Sequence, residues 1–278
     1  MLGLGTPITK SEFISADDAP LLDSFSGAES AFSLRQLSSS YSGNAIRVRR
    51  DSDDAELNIG FSGGELDTSA IATHCGSASG FVTVIYDQSG NSNDISGHAK
   101  SSEPEIYNGS SVVTKNGKPI MRLSNKQVDV PWDSARGDTL NAFFVFSKDQ
   151  YGDPNYIDGY AGNDFKVAYP TASTAPFGHL LQNITPAGTV DAGVQITHGD
   201  AFIHSFLTTP TVVNSFANGV GNSSSLSNTV VLDPSEGFPR HFNGFGYVSL
   251  FEIVIYLSDQ SANRTAIENN INSFYSIF

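Results

Sequence analysis

The sequence predicts an all-β sandwich with a short helix near its N-terminus and a second helix at its C-terminus. The 278 residues include 26 Gly, 19 Phe and 10 Tyr, and only 16% are charged. This composition is typical of many short strands that are joined by tight turns. Runs of β-branched and aromatic residues recur between clusters of Gly, Asn, Pro and Ser, which is the pattern of a sandwich. A single β domain often reaches this length.

The chain begins with a segment that shows no hydrophobic period. Residues 1–20 are polar and contain two prolines, so we expect a tail or docking segment outside a sandwich domain of residues 21–278. In residues 21–37 the apolar side chains recur near helical spacing. Asp17 or Asp18 is placed to cap a short helix there, because a carboxylate accepts hydrogen bonds from the first free backbone amides.

Strands are predicted wherever apolar side chains alternate with polar ones or form short β-branched runs. Residues 45–49 alternate apolar and basic side chains, which indicates a half-buried strand. Residues 247–257 are largely apolar on both faces, so we expect a central strand there. The other candidate strands are residues 81–86, 119–123, 142–146, 165–169, 202–207 and 211–216.

The last segment of the chain has the pattern of an amphipathic helix. Ser258 or Ser261 can cap it, and Arg264 and Glu268 are spaced for an ion pair on its surface. One apolar stripe is formed by Ile267, Ile271 and Phe274.

Charge and cysteine content exclude several classes of protein. The chain has 29 acidic and 15 basic residues and a net charge of −14, which disfavours nucleic acids and anionic membranes as partners. The single cysteine, Cys75, allows no intrachain disulfide. The N-terminus has no basic region followed by an apolar run, and no stretch approaches the roughly 18 apolar residues of a membrane helix. We therefore expect a soluble protein that is not exported by a recognisable signal.

Three stretches carry a resemblance to known families. They are AFSLRQL at 31–37 with GNAIRVRR at 43–50, FVTVIYDQSGNSND at 81–94, and the strand and helix at 246–278. The first two resemble the catalytic domain of the fungal α-L-arabinofuranosidase B family, and look even more like the concanavalin A-like domains of phage virion proteins. The third is similar to the end of laminin G-like modules in such proteins. The resemblance implies a concanavalin A-like jelly-roll sandwich.

The same resemblance implies a retaining hydrolase, which needs two carboxyl groups about 5–5.5 Å apart. In the arabinofuranosidases these are a glutamate in mid-domain and an aspartate in a Gly-rich stretch before the last long strand. This sequence has no glutamate between Glu105 and Glu236, and residues 238–244 contain no aspartate. The secreted enzymes also pair the cysteine at Cys75 with one five residues later, where this chain has Gly80. We therefore predict that the domain is not an enzyme.

The turn at residues 86–94 has two interpretations. Asp87 and Asn91 can bond to their own backbone and Gly90 can adopt a positive φ, which predicts a fold-defining turn and no cofactor. The alternative is a calcium loop, because Asp87, Asn91, Asn93 and Asp94 offer the oxygen ligands that calcium prefers.

Two other motifs favour structural interpretations. Residues 60–64, GFSGG, match the pattern of a hydrolase nucleophile elbow, but the polar sequence around them favours a plain turn. His198 and His204 are the closest pair of histidines, and no Cys or Glu cluster accompanies them, so we expect surface or hydrogen-bonded histidines.

The segment 148–164 is the best candidate for a binding site. It mixes Tyr with Asp and Asn, and sugar sites need flat aromatic faces together with groups that bond hydroxyls. An ordinary polar loop of a sandwich is the alternative. Trp132 is either a second sugar platform or a core side chain. The candidate carbohydrate-binding residues are Tyr151, Asp153, Asn155, Tyr156, Asp158 and Tyr160.

These observations lead to the prediction of a non-catalytic virion protein, such as a capsid decoration or a tail-fibre component. It would assemble in the host cytoplasm as a homo-oligomer, dock to other virion proteins through residues 1–20, and display loops that bind glycans. One alternative is a glycan-binding module of a bacterial extracellular protein. Another is a glycoside hydrolase with acids drawn from Asp149, Asp158, Asp164, Asp191 and Asp200.

Overall fold

Two β-sheets that share one hydrophobic core form the body of the protein. A computed structural model of the chain describes residues 19–123, 126–130, 139–149, 155–158, 165–168, 180–183, 199–209, 211–225, 240–243 and 248–278. The helices are α1 (Leu21–Ser24), α2 (Thr68–Cys75) and α3 (Arg264–Tyr275), with one 3-10 turn at Lys100–Ser102. The strands are β1 (Ser30–Ser33), β2 (Ile46–Arg50), β3 (Glu56–Ile59), β4 (Phe61–Ser62), β5 (Glu65–Leu66), β6 (Ser79–Ile85), β7 (Ile95–Ser96), β8 (Glu105–Asn108), β9 (Thr114–Lys115), β10 (Lys118–Pro119), β11 (Met121–Leu123), β12 (Gln127–Val130), β13 (Leu140–Lys148), β14 (Asn155–Asp158), β15 (Phe165–Ala168), β16 (Leu180–Asn183), β17 (Ala201–Thr208), β18 (Val212–Ala217), β19 (Val220–Ser225), β20 (Arg240–Asn243) and β21 (Val248–Tyr256).

Both sheets are antiparallel. In the described residues the larger sheet has twelve strands in the order β19-β18-β17-β13-β21-β11-β8-β6-β2-β3, with β1 added beside β21 and β7 beside β6. The smaller sheet has the order β12-β20-β14-β15-β16, and two separate hairpins are formed by β4–β5 and β9–β10. The predicted all-β, concanavalin A-like jelly-roll sandwich is confirmed. Among the described residues no helix is long and apolar enough to cross a membrane.

The main core lies between the two sheets. It joins side chains of β13, β17 and β21 to Val128 and Val130 of β12. The rings of Phe144 and Phe206 stack with 5.6 Å between their centroids, and each fully buried side chain of this size contributes about 1.5–3 kcal/mol. All nine residues of β21 are buried, which confirms the predicted central strand.

A second core on the other face of the large sheet explains why β21 is buried on both sides. There α1 and α3 pack on the sheet, and Ile267 and Ile271 of α3 are fully buried. The predicted ion pair between Arg264 and Glu268 is present. We had predicted Ser258 or Ser261 as the N-cap of α3, and this is wrong, because the cap is Asn263. Ser261 belongs instead to a turn before the helix, where its backbone amide donates to Asp259.

The N-terminal helix is much shorter than its sequence pattern indicates. It ends at Ser24 and its N-cap is Pro20, so neither Asp17 nor Asp18 caps it. Gly27 has a φ of +83°, which ends the helical path, and residues 30–33 form a strand with all four side chains buried. Pairing with β21, which places Ala31 opposite Val254, overrides the helical spacing. Residues 1–18 lie outside the described part of the chain, so the docking segment stays a prediction.

A buried ion pair fastens β1 and α3 to β21. The Arg35 guanidinium donates to both oxygens of Glu252 at 2.8 and 3.0 Å, and the carboxylate also accepts from Ser33 Oγ at 2.8 Å. The Tyr275 hydroxyl lies 3.2 Å from Glu252 Oε2, and burial together with the Glu252 charge raises the Tyr275 pKa well above its ordinary value. Because removing one partner of a buried pair costs about 3–5 kcal/mol, this glutamate has a structural role.

Residues 60–64 form the plain turn that we predicted. Gly63 and Gly64 have φ values of +63° and +83°, and they connect β4 to β5 in a tight hairpin. Asp67 then caps α2 by accepting a hydrogen bond from the Ala70 amide at 2.9 Å.

Position 80 lies directly against the only cysteine. A Cβ atom built on Gly80 would be 2.6 Å from Cys75 Sγ and 3.1 Å from Val48. The Cys75 side chain is buried, and this desolvation raises the pKa of its thiol. A cysteine at position 80 would therefore face Cys75 closely, as the arabinofuranosidase resemblance implies for the two residues.

Candidate functional site

A row of polar residues crosses the five-stranded sheet, with one residue from each strand. The backbone pairing places Asp129 of β12 opposite His241 of β20, which in turn lies opposite Asp158 of β14. Asp158 pairs with Lys166 of β15, and Lys166 pairs with Gln182 of β16. Directly opposite residues of neighbouring strands occupy the same face of a sheet. We call these five residues the polar row.

The next row of the same sheet is apolar. It consists of Val128, Phe242, Ile157, Val167 and Leu181. Val128 is fully buried in the main core. Since successive residues of a strand occupy opposite faces, the polar row is on the face of the small sheet that points away from the core.

The polar row contains the residue types that glycosidic bond cleavage requires. Asp129 and Asp158 are two strands apart, with His241 between them. Neighbouring strands are about 4.8 Å apart, so these two backbone positions are separated by roughly 10 Å. Carboxyl pairs of glycosidases lie about 5–5.5 Å apart in retaining enzymes and about 6.5–9.5 Å apart in inverting ones. The backbone separation is close to the wider of these carboxyl spacings, and the row also contains residue types suited to proton transfer and to hydrogen bonds with sugar hydroxyls.

His98 extends the polar row beyond its β12 end. It follows β7, which packs against β12, and it lies close enough to Asp129 and Glu103 to interact with their charges. Desolvation by burial nevertheless lowers the pKa of His98, although both carboxylates act to raise it. Its Nε2 atom is buried and has no hydrogen-bond partner in the described part of the chain. The imidazole is therefore neutral at neutral pH and can donate or accept a proton.

The predicted sugar-binding segment lies only partly within the described residues. Asn155, Tyr156 and Asp158 belong to β14, the middle strand of the small sheet, where we had expected a loop. Tyr151, Asp153 and Tyr160 lie outside the described residues, as does Trp132. The structure brings Asp158 into the polar row, and the assignment of the six residues to sugar binding stays a prediction.

The other candidate acids differ in their surroundings. Asp149 accepts hydrogen bonds from Ser147 at 2.9 Å and from Ser249 at 2.6 Å, and also pairs with Lys115. These contacts hold it as a structural ion pair. Asp200 is exposed in the turn before β17. Asp164 and Asp191 lie outside the described residues.

The Asp87 turn fastens β6 to β1. Asp87 Oδ1 accepts from the amides of Ala31 at 2.8 Å and Ser89 at 2.9 Å, and Oδ2 accepts from the amide of Asn93 at 3.1 Å. Asn91 donates to the carbonyl oxygen of Glu29 at 3.0 Å. The two Asp87 oxygens are thus occupied within the fold, which supports the fold-defining interpretation.

The histidines and acids of the described residues form no evident metal centre. No group of three or more His, Cys, Asp or Glu in this part of the chain is arranged to hold a metal ion. His204 is buried, with its Nε2 atom 3.2 Å from Ser215 Oγ, which is the hydrogen-bonded arrangement that we predicted. His198 lies outside the described residues.

Sequence reasoning missed most of the polar row. Asp129 lies in a four-residue stretch in which polar and apolar residues alternate, QVDV, and this pattern could have identified its strand, whereas RHFN around His241 has no such alternation. Their alignment could not be predicted, because it depends on pairing between segments that are more than 100 residues apart in the chain.

Comparison with known proteins connects this fold to arabinofuranosidases. Residues 24–136 match the family model of the α-L-arabinofuranosidase B catalytic domain. The chain is 36% identical over 101 residues to the α-L-arabinofuranosidase B of Aspergillus kawachii, covering 34% of this chain and 19% of that protein. It is 44% identical over 63 residues to a probable α-L-arabinofuranosidase B of Aspergillus clavatus, covering 22% and 12%. The chain thus spans about a fifth or less of the length of these relatives.

Solved structures show the same likeness at the level of the fold. A crystal structure of an arabinofuranosidase complexed with arabinofuranosyl-α-1,2-xylobiose superimposes with a TM-score of 0.61 and 17% identity, covering 90% of this chain and 64% of that one. An α-L-arabinofuranosidase soaked with a cyclic sulfate inhibitor gives a TM-score of 0.60 at 17% identity, with the same coverage.

These comparisons correct the prediction of a non-catalytic virion protein. The matching family model and the curated relatives are arabinofuranosidases, which are hydrolases, and nothing in the comparisons supports a phage domain, a capsid or tail-fibre role, or a place in a virion. The prediction failed because the loss of two acids at family positions does not exclude acids at other positions of the fold. Of the functions considered from the sequence, an arabinofuranosidase-like hydrolase agrees best with the comparisons.

Proposed function

We propose that this domain is a glycoside hydrolase that removes α-L-arabinofuranosyl groups from a carbohydrate chain. The observation that carries the proposal is the match of residues 24–136 to the arabinofuranosidase B catalytic model. The likeness of fold to an arabinofuranosidase extends over 90% of the chain, well beyond the residues that match the family model. That solved structure holds arabinofuranosyl-α-1,2-xylobiose, which suggests arabinosyl side groups on a xylose backbone as the substrate class.

The polar row is the proposed catalytic centre. In this mechanism one of Asp129 and Asp158 is protonated and donates its proton to the glycosidic oxygen as the bond to the sugar breaks. The other is ionised and removes a proton from a water molecule, which attacks the anomeric carbon from the opposite side. The wide spacing of the two backbone positions leaves room for that water, so the released sugar would have inverted configuration, which differs from the retaining mechanism that the resemblance to arabinofuranosidases implies.

In this proposal the neutral imidazole of His98 lies near Asp129 without adding charge to the site. The proposed substrate is a polysaccharide, and such polymers lie outside cells, so we also propose an extracellular site of action in place of the virion.

The proposal is tested by kinetics on 4-nitrophenyl α-L-arabinofuranoside with the full chain. We expect wild-type protein to release 4-nitrophenol and Asp158→Asn or Asp129→Asn to lower kcat at least about 100-fold, because positioned acids and bases contribute about 10²–10⁴-fold. Asp259→Asn is the matched control. Asp259 is exposed and accepts a hydrogen bond from the Ser261 amide. The side-chain oxygen of an asparagine can accept the same bond, so this change should leave the turn intact.

Two results would contradict the proposal. One is a folded wild-type protein that binds arabinosylated oligosaccharides but releases no sugar. The other is full activity in both row variants, which would place the reaction elsewhere in the chain.

A further inference from the structure

An open cleft of about 530 Å³ lies away from the polar row. It is bounded by α2, by the β4–β5 and β9–β10 hairpins, and by the end of β8 with the loop that follows it. None of its lining residues belongs to the five-stranded sheet. Its volume falls within the range of about 300–1,000 Å³ that is usual for small-molecule sites.

Hydroxyl groups dominate the polar lining of the cleft. They come from three different elements, so their donors and acceptors converge on one space from several sides. A hydroxyl both donates and accepts, which suits a ligand that itself carries many hydroxyls. The five side chains are those of Thr68, Ser69, Ser110, Ser111 and Thr114, all of them exposed to solvent.

The charge at the rim of the cleft is balanced. Lys118 Nζ lies 2.6 Å from Glu65 Oε1 and also sits 3.8 Å from the centre of the Phe274 ring. The lysine therefore holds one oxygen of the carboxylate and leaves the other to accept a hydroxyl from a ligand. Because the two charges cancel, the cleft favours a neutral ligand over an anion or a cation.

Apolar surface completes the lining. Leu66, Val112 and Pro119 contribute to the wall, as does Tyr107, whose hydroxyl is bonded to the Gly76 carbonyl oxygen at 3.1 Å and so holds its ring in place. Sugars present apolar C–H faces as well as hydroxyls, and mixed apolar and hydroxyl walls match both.

We propose that this cleft is an accessory binding site for a neutral glycan chain. It would hold a polymeric substrate on the protein at a distance from the residues that cleave it. The choice of arabinoxylan as the probe polymer rests on the proposed function. The inference that the cleft binds a neutral glycan does not depend on that function.

The test is retention of the full chain in native gels that contain dissolved arabinoxylan, a neutral polymer, or polygalacturonate, an anionic one. Ala72 lines the cleft on an exposed position of α2, so Ala72→Trp should fill it without disturbing the core. Thr73→Trp is the matched control, since Thr73 is exposed on the same helix and does not line the cleft. We expect Ala72→Trp to weaken retention by arabinoxylan at least fivefold and Thr73→Trp to leave it unchanged.

Activity on 4-nitrophenyl α-L-arabinofuranoside separates this inference from the proposed function. That small substrate does not need the cleft, so Ala72→Trp should cleave it at the wild-type rate if the protein is a hydrolase. Equal retention of both tryptophan variants, no retention of wild-type protein, or equally strong retention by polygalacturonate would each overturn the accessory site. An inactive protein with the expected retention pattern would overturn only the hydrolase.

Discussion

Two aspartates at the ends of strands, Asp87 after β6 and Asp158 at the end of β14, lie in very different surroundings. Asp87 is 4% exposed, and its two oxygens accept hydrogen bonds from the amides of Ala31, Ser89 and Asn93. Asp158 lies in a row of polar residues on the face of the small sheet that points away from the core. The first arrangement uses a carboxylate to hold two strands together, and the second places polar residues of neighbouring strands side by side.

This difference explains why sequence motifs misled the assignment of function. The Asp87 turn is the most recognisable motif in the chain, yet its groups are satisfied within the fold. The polar row has no local motif, because its members come from five strands. The residues that define the fold and the residues that we propose for catalysis thus occupy different regions, and only the second kind can be tested by activity.

The sharpest test of this comparison is stability. Replacing Asp87 with alanine removes the acceptor of the buried Ala31 amide and of the partly buried Ser89 and Asn93 amides, at about 1–3 kcal/mol for each group that water cannot reach. We expect Asp87→Ala to lower the free energy of unfolding by about 3 kcal/mol in urea titrations, and Asp158→Asn to lower it by less than about 0.5 kcal/mol. If the two changes cost the same, the distinction between the two aspartates is wrong.

A smaller effect is expected at Gly80, which lies at the opposite end of β6 from the Asp87 turn. Gly80→Cys should form a disulfide with Cys75 under oxidising conditions and raise the free energy of unfolding by about 2 kcal/mol. Gly80→Ala should lower it by about 1–2 kcal/mol, because its Cβ would meet Cys75 Sγ at 2.6 Å and overpacking is costly. Mass spectrometry and urea titration with and without reductant check both variants. Free thiols at both positions in oxidised Gly80→Cys would refute the predicted proximity.

The smallest effect concerns His98, which lies near Asp129 of the polar row. Burial lowers its pKa below the ordinary value of 6.5, so the unfolded chain binds a proton more readily than the folded one. Stability is therefore complete above pH 6.5 and falls as the pH drops below it. In His98→Gln we expect a shallower loss of stability between pH 6.5 and 5 than in wild type, measured by urea titration. Identical slopes would show that His98 is not desolvated.

The sequence was sufficient for the elements whose pattern is local. Residues 247–257 predicted the central strand because both faces are apolar, and Ile267 with Ile271 predicted the C-terminal helix. The pattern at residues 21–37 failed because β1 is buried on both faces, so its apolar residues do not alternate. Helix α2 was missed because only Ile71 and Cys75 are buried within its eight residues, too few to mark a period.

The candidate site could be predicted only in part for a related reason. Asp158 was identified because its segment mixes Tyr with Asp and Asn. The positions of Asp129 and His241 beside it are determined by strand register. Register is a property of the whole sheet, determined by which faces can be buried. No motif within one segment contains that information.

The central claim is that Asp129 and Asp158 of the polar row carry out hydrolysis. Its most direct test is ¹H NMR of the sugar that is first released from 4-nitrophenyl α-L-arabinofuranoside. The account predicts that the β anomer appears first, because a water molecule attacks opposite the leaving group. Initial release of the α anomer, or no release of sugar by the folded protein, would contradict it.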